Sequence, residues 1–145
     1  MKKEDQYNLY LILQLFIVLA SVFGSLFFSE VMKFPPCNLC WYQRLCIYPM
    51  AFIIMTGLYL KSKETILFLL PFSITGLFIS IYHNLVYYKF ITIIVPCTES
   101  APCTAEQLNW LGFITIPLLA LVTFVSLIIL NITTLFLLKK NEGFK

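Results

Sequence analysis

Two cysteines separated by two residues, Cys37 and Cys40, stand in the segment FPPCNLCWYQR, with two prolines before them and Arg44 behind. A disulfide across so short a gap removes little chain entropy from the unfolded state, so stabilisation alone explains it poorly. Short bridges of this kind tend instead to be easily reduced. The motif therefore predicts a redox centre whose two sulfurs alternate between dithiol and disulfide.

Reactivity is expected to concentrate on Cys40. The prolines favour an extended approach followed by a helix start, which places Cys40 in the first helical turn, where N–H groups and the helix dipole favour a thiolate. Arg44 follows four residues later on the same helix face. Its permanent charge could favour that thiolate and hold an electronegative group of a ligand. An arginine at a helix end also serves commonly as an anchor at the membrane surface, and both roles stay open.

The surrounding chain has the composition of an integral membrane protein, since 60% of its 145 residues are hydrophobic and 12% are charged. Four stretches without charged residues can hold, or nearly hold, the roughly 20 residues of a spanning helix: 7–28, 45–60, 65–88 and 107–138. We predict an all-α membrane protein, a single four-transmembrane-helix bundle over residues 1–145, with helices at about 9–28, 41–60, 65–84 and 111–138. The first stretch, with Ser25 among its small residues, is similar to a secretory signal, but its apolar core is too long for one.

The basic residues predict the orientation of this bundle. Lysine and arginine in short loops favour the cytoplasmic side, so both termini are predicted to be cytoplasmic. Two loops then face outward, at about 29–40 and 83–111. Seven of the ten basic residues fall on the predicted cytoplasmic side: Lys2, Lys3, Lys61, Lys63, Lys139, Lys140 and Lys145.

Four of the five cysteines fall in the two outer loops, Cys37 and Cys40 in the first, Cys97 and Cys103 in the second. Disulfides persist on the oxidising side of a membrane, so both pairs are expected to cycle through them. We expect no metal, because five residues including a proline separate Cys97 from Cys103, unlike a compact zinc knuckle. The second loop, rich in small and turn-forming residues, is predicted to exchange disulfides with an outside protein. Cys46, in the second apolar stretch, is expected to be a small buried hydrophobe.

A membrane dithiol that is repeatedly reduced must pass its electrons onward, and a quinone, with a polar ring and an apolar tail, is the natural acceptor in lipid. We predict that Arg44 contributes to its binding site. His83, the only histidine of the chain, closes the third predicted helix at the level assigned to Arg44. There it could donate a hydrogen bond or a proton to a bound ring, or be a plain interfacial histidine. Several aromatic residues at this level fit either a ring pocket or the aromatic belt of a membrane protein: Trp41, Tyr42, Tyr82, Tyr87 and Tyr88.

Over nearly its whole length the chain resembles the DsbB/BdbC family of disulfide bond formation proteins, and the Gram-positive BdbC-like members in particular. The run PCNLCWYQR, ending at Arg44, is similar to the family pattern P-C-x-x-C-x-Y-x-R, and Tyr82-His83 and Cys103 followed by WLGF continue the likeness. The resemblance implies a four-helix oxidase of the bacterial plasma membrane. Such an oxidase reoxidises a thioredoxin-like extracytoplasmic partner of the DsbA/BdbD type and passes the electrons to ubiquinone or menaquinone.

The same resemblance implies a role for each site residue. Cys97 would form the mixed disulfide with the partner, Cys103 would exchange with Cys37, Cys40 would engage the quinone, and Arg44 would belong to the quinone site. The gap between the loop cysteines is shorter than in proteobacterial members, which implies that their surface helix is missing here.

Two alternatives stay open. One is an oxidase similar to vitamin K epoxide reductase, although in that family the loop pair precedes the Cys-x-x-Cys motif. The other is a non-catalytic membrane subunit whose disulfides only staple its outer loops.

Overall fold

The computed structural model describes residues 3–91 and 115–142, so Cys97 and Cys103 lie outside the described residues. The described chain contains helices and no strand: α1 (Lys3–Leu26), a π-helical turn (Phe27–Val31), α2 (Asn38–Leu60), α3 (Thr65–Tyr87) and α4 (Ile116–Glu142). The four α-helices are each long and apolar enough to cross a membrane. The predicted all-α architecture with four membrane-spanning helices is therefore confirmed.

Several helix ends differ from the bounds expected from sequence. α2 begins at Asn38 rather than at 41, because Cys37 directly follows the two prolines and caps the helix itself, its sulfur accepting the N–H of Cys40. α1 begins at Lys3 rather than at 9, since helical structure extends beyond the apolar stretch into polar residues. α3 continues past 84 to Tyr87. The expected start of the fourth helix at 111 lies outside the described residues.

The helices form a closed ring in which α1 contacts α2 and α4, and α3 contacts the same two helices from the other side. Small residues allow the closest approaches. A Cβ atom on Gly76 of α3 would collide with the Phe124 ring of α4, and one on Gly57 of α2 would collide with the Thr65 side chain of α3. Close packing of this kind is typical of membrane helices, because moving apolar surface from lipid into a helix interface gains little free energy.

The polarity of the bundle suits a lipid environment. Large apolar side chains such as Phe16 and Phe136 are exposed on the outside of the bundle, whereas Gln14, Ser73 and Asn131 are fully buried. The Asn131 side-chain amide donates a hydrogen bond to the Ser73 hydroxyl at 2.8 Å. Interhelical hydrogen bonds of this kind stabilise helices in a solvent that offers no competing partner.

Two hydrogen bonds establish which helix ends lie together. The Tyr7 hydroxyl, near the start of α1, donates to the Ser62 carbonyl in the α2–α3 turn at 2.7 Å. At the other end, the Asn84 amide of α3 donates to the Pro117 carbonyl of α4 at 2.8 Å. The turn containing Lys61 and Lys63 thus lies at the same end as the start of α1. This arrangement groups the basic residues as the orientation argument requires, and the side of the membrane that they face stays a prediction.

Candidate redox site

Cys37 and Cys40 meet at the N-terminus of α2. Both are free thiols, Cys37 buried and Cys40 half-buried, and their sulfur atoms lie 2.8 Å apart. Cys37 has an extended backbone at the N-cap, so its side chain reaches over the first turn and its Sγ accepts the Cys40 main-chain N–H at 3.3 Å. The Cys-x-x-Cys spacing thereby brings both sulfurs together at one helix end.

Cys37 faces α3, where it meets His83. The Nε2 atom of the His83 ring lies 3.7 Å from Cys37 Sγ, and the ring is almost completely buried. The hydrogen bond from the Cys40 thiol lowers the pKa of Cys37 most, the His83 ring lowers it further, and burial opposes both. In the reduced pair, negative charge is therefore favoured on Cys37, which receives the helix N-terminal N–H, the neighbouring thiol and the imidazole.

Gln43 contacts the histidine on the side away from Cys37, and Ser80 in turn contacts Gln43. The side-chain amide of Gln43, on α2, lies with its Nε2 atom 3.4 Å from His83 Nδ1. The same nitrogen donates to the Ser80 hydroxyl of α3 at 3.2 Å. We did not predict either residue from the sequence. The signal was present, because a glutamine or serine within a membrane-spanning segment is costly unless it has a polar partner.

Cys40 faces the opposite way, toward a cavity of about 430 Å³ bounded by α1, α2 and α4. Most of its walls are apolar, formed by side chains such as Phe16, Ile47 and Phe124. Its volume and apolar walls with a few polar groups are typical of small-molecule sites. The polar residues that line it are Ser21, Ser25, Ser29, Cys40, Gln43, Arg44 and Thr123.

Arg44 reaches this cavity from α2 and is held by α1. Its Nε donates to the Ser25 hydroxyl at 2.7 Å, and its Nη2 donates to the Ser25 carbonyl at 2.8 Å. The guanidinium carbon also lies 5.4 Å from the centre of the Trp41 ring, within cation–π range. The guanidinium is therefore fixed at the cavity rather than free in solvent.

The structure thus gathers four of the six predicted site residues: Cys37, Cys40, Arg44 and His83. His83 is not among the described residues that line the cavity; it contacts the Cys37 sulfur instead. Its predicted contact with a bound ring stays a prediction. The ligand atoms of the two cysteines and His83 lie within 4.8 Å of one another, a spacing that a metal site would also need. The expectation of no metal likewise stays a prediction. Among the described residues this cluster offers three potential ligands, whereas a structural zinc site has four.

The other notable side chains lie as follows. Cys46 is buried in the hydrophobic core, as expected of a small apolar residue. Trp41, Tyr42 and Tyr88 are about half exposed, and Tyr82 packs against the small apolar cluster around Cys37. The exposed rings fit the aromatic belt better than the cavity, since none of them lines it in the described part of the chain.

Comparison with known proteins decides the family. The family model described as "Disulfide bond formation protein DsbB" matches residues 7–134. The chain belongs to the DsbB family. It is similar to disulfide bond formation protein C of Bacillus subtilis strain 168, with 43% identity over 78% of this chain and 83% of the relative. It is also similar to the probable disulfide formation protein C of Halalkalibacterium halodurans, with 40% identity over 79% of this chain and 84% of the relative. A probable disulfide formation protein of Oceanobacillus iheyensis is 40% identical over 92% of each chain. No solved structure matches this chain.

Membership in the DsbB family confirms the resemblance drawn from the PCNLCWYQR motif. The protein is a multi-pass membrane protein and a disulfide-forming oxidoreductase. The alternative of a non-catalytic subunit with purely structural disulfides is therefore set aside. The segment matched by the DsbB model includes both cysteine pairs.

Proposed function

We propose that this DsbB-family protein is a thiol:quinone oxidoreductase of the bacterial plasma membrane with its active cysteines on the outer face. It oxidises an extracytoplasmic thioredoxin-like partner of the DsbA/BdbD type and passes two electrons to ubiquinone or menaquinone. The electrons travel from the partner dithiol to Cys97 and Cys103, then to Cys37 and Cys40, and from there to the quinone.

The cavity at Cys40 is suited to a quinone. It is large enough for a substituted ring, its apolar walls suit the ring faces and the start of an isoprenoid tail, and it adjoins the lipid-facing helices α1 and α4. Arg44 supplies a fixed cation with several N–H donors, which suit a quinone carbonyl oxygen. A bound quinone supplies the capacity to accept two electrons and two protons. Arg44 would hold the ring, and Cys40 lines the same cavity.

Thiol exchange delivers the electrons to this site. A partner thiolate attacks the Cys97 sulfur of the Cys97–Cys103 bond, and the electron pair leaves on Cys103. Cys103 then attacks Cys37 within the Cys37–Cys40 bond, which forms a Cys37–Cys103 disulfide and leaves the electron pair on Cys40 as a thiolate. At this stage the negative charge would lie on Cys40, in the cavity with Arg44, whereas in the reduced pair it is favoured on Cys37.

A second set of exchanges resets the pairs. The second partner thiol attacks its own sulfur in the mixed disulfide, so the partner leaves as a disulfide and Cys97 leaves as a thiolate. Cys97 attacks Cys103, restores the outer disulfide and releases Cys37 as a thiolate. Loss of two electrons from the Cys37 and Cys40 thiolates re-forms their disulfide, and the two protons given up by the partner's thiols balance the reaction, which overall converts partner dithiol plus quinone to partner disulfide plus quinol.

One observation carries this proposal: the two sulfurs of the motif have different surroundings. Cys37 faces His83 at the end of the bundle where α2 begins, whereas Cys40 lines the cavity with Arg44. A purely structural disulfide does not need different surroundings for its two sulfurs. An electron relay does need them, because one sulfur must exchange with a second disulfide while the other meets the electron acceptor.

The experiment that tests the path is a trapped intermediate. In a Cys103→Ser variant, Cys97 has no disulfide mate and stays a thiol, so its thiolate should open the disulfide of the oxidised partner and form a mixed disulfide that accumulates because Cys103 cannot resolve it. Non-reducing electrophoresis followed by peptide mass spectrometry identifies the cysteine that carries the partner, and Cys46→Ser serves as the control that accumulates no adduct. A partner adduct on Cys37 instead of Cys97 would show that the second loop is not the exchange arm.

A further inference from the structure

A connected set of polar side chains crosses the α2–α3 interface behind the cysteine pair. It runs from Ser80 Oγ to Gln43 Nε2 at 3.2 Å, from Gln43 Nε2 to His83 Nδ1 at 3.4 Å, and from His83 Nε2 to Cys37 Sγ at 3.7 Å. Ser80, Gln43 and His83 are all less than 10% exposed. Buried polar groups at such a depth need partners, and each of these supplies one to the next.

The direction of these hydrogen bonds follows from what each group can donate. The Gln43 amide nitrogen carries two hydrogens and no acceptor lone pair, and it faces two acceptors, the Ser80 hydroxyl oxygen and His83 Nδ1. A histidine whose Nδ1 accepts a hydrogen bond carries the proton of its neutral ring on Nε2. Nε2 is the atom that faces the Cys37 sulfur. The ring therefore donates to that sulfur.

We propose that Gln43 is a positioning residue that holds His83 as its Nε2-protonated tautomer and aims that N–H at the Cys37 sulfur. His83 in turn stabilises negative charge on Cys37 whenever this sulfur is free as a thiolate. The use of this contact in disulfide exchange rests on the proposed function. The tautomer of His83 and its dependence on Gln43 do not rest on the proposed function.

The tautomer can be measured directly, because His83 is the only histidine of the chain. The full-length protein, labelled with ¹⁵N-histidine, purified in detergent and reduced, gives one imidazole in a long-range proton–nitrogen NMR correlation. That spectrum distinguishes the protonated ring nitrogen from the bare one. We expect the proton on Nε2. A proton on Nδ1 would mean that the Gln43 amide accepts rather than donates, and would overturn the proposal.

Two substitutions test whether Gln43 sets this state. Gln43→Glu replaces a donor with a carboxylate that only accepts, so Nδ1 should gain a proton. Gln43→Leu removes the donor, so the preference for Nε2 should be lost. The matched control is Gln14→Leu, which removes a fully buried glutamine from α1 whose amide atoms have no partner in the described part of the chain. The control should leave the imidazole spectrum unchanged. An unchanged spectrum in both Gln43 variants would overturn the proposal.

The chemical consequence is measured on Cys37 alone. In a background with the other four cysteines replaced by serine, the rate of alkylation of Cys37 at fixed pH reports the thiolate fraction. Gln43→Leu should slow it about tenfold, as expected for weakening one hydrogen bond to a charged sulfur, while Gln14→Leu should not. Equal rates in the two variants would contradict the positioning role. A failure of quinone reduction with the Nε2 tautomer present would instead contradict the proposed function and leave this assignment standing.

Discussion

Arg44 donates from two guanidinium nitrogens to a single residue of the neighbouring helix, Ser25, through the hydroxyl at 2.7 Å and the carbonyl at 2.8 Å. Ser25 lies two residues before the π-helical turn that continues α1, and irregular turns of this kind are frequent at functional sites. The planar, forked guanidinium suits two fixed acceptors, which a lysine ammonium would meet less well. The contact fixes the charge of Arg44 beside the cavity that Cys40 also lines.

Replacing Ser25 should therefore weaken quinone binding through its effect on Arg44. Ser25→Ala removes the hydroxyl acceptor, frees one side of the guanidinium, and is expected to raise the apparent KM for quinone about tenfold with a smaller effect on kcat. Ser25→Thr keeps an oxygen at the same position and should recover most of the loss. The measurement is the initial rate of quinone reduction at varied quinone concentration.

The matched control for this variant is Ser29→Ala. Ser29 lines the same cavity, but its hydroxyl donates to the Leu26 carbonyl of its own helix at 3.2 Å. The alanine variant should keep the wild-type KM. If Ser25→Ala and Ser29→Ala raise the KM equally, the contact with Arg44 is not what holds the site together.

Substitutions of Arg44 itself distinguish a role in quinone binding from a role as a membrane anchor. Arg44→Met should insert into the membrane and form both disulfides with a chemical oxidant, yet show a KM for quinone raised roughly ten- to a hundredfold, since a hydrogen bond to a charged group contributes about 1.5 to 3 kcal/mol. Arg44→Lys should recover only part of the loss, because it restores the charge without the planar fork. A simple membrane anchor would instead give lysine and arginine the same kinetics and lower the membrane yield of the methionine variant.

The orientation of the bundle can be tested at the turn between α2 and α3. A cysteine placed at Ser62, in a variant with Cys97 and Cys103 replaced by serine, should react with a membrane-impermeant thiol reagent only after the cells are opened. In the protein with its natural cysteines, mild reduction followed by the same reagent should label Cys97 or Cys103 on intact cells. Labelling of position 62 on intact cells would invert the topology and remove the oxidising environment on which the disulfide argument depends.

The sequence was sufficient for the architecture because membrane helices leave strong signals. Four apolar stretches predicted the four helices, and the Cys-x-x-Cys spacing together with Arg44 predicted two of the groups that meet at the cavity. The helix start at Asn38 was missed by three residues, since capping by Cys37 depends on side-chain geometry. The π-helical turn after α1 left no signal in the hydrophobic pattern, because its five residues, FFSEV, fit α- and π-helical turns equally.

The partners of the site residues could not be predicted for a different reason. Gln43 and Ser80 lie 37 positions apart, and Ser25 lies 19 positions before Arg44, so only the packing of helices brings them together. In the sequence, Ser25 stood among small residues that are similar to those of a signal peptide, and Gln43 was one letter of a family motif. The interaction of His83 with Cys37 rather than with the cavity also depends on the rotation of α3 about its axis, which the weak periodicity of an almost wholly apolar helix does not specify.

The transfer of electrons from Cys37 and Cys40 to quinone is the central step of the proposed function, and the loss of quinone absorbance on mixing tests it most directly. Purified protein mixed with excess quinone and a limiting amount of reduced thioredoxin-like partner should form one quinol for each partner disulfide, and Cys40→Ser should abolish this while Cys46→Ser should not. Partner oxidation without matching loss of quinone, or undiminished quinone reduction by Cys40→Ser, would contradict the central claim.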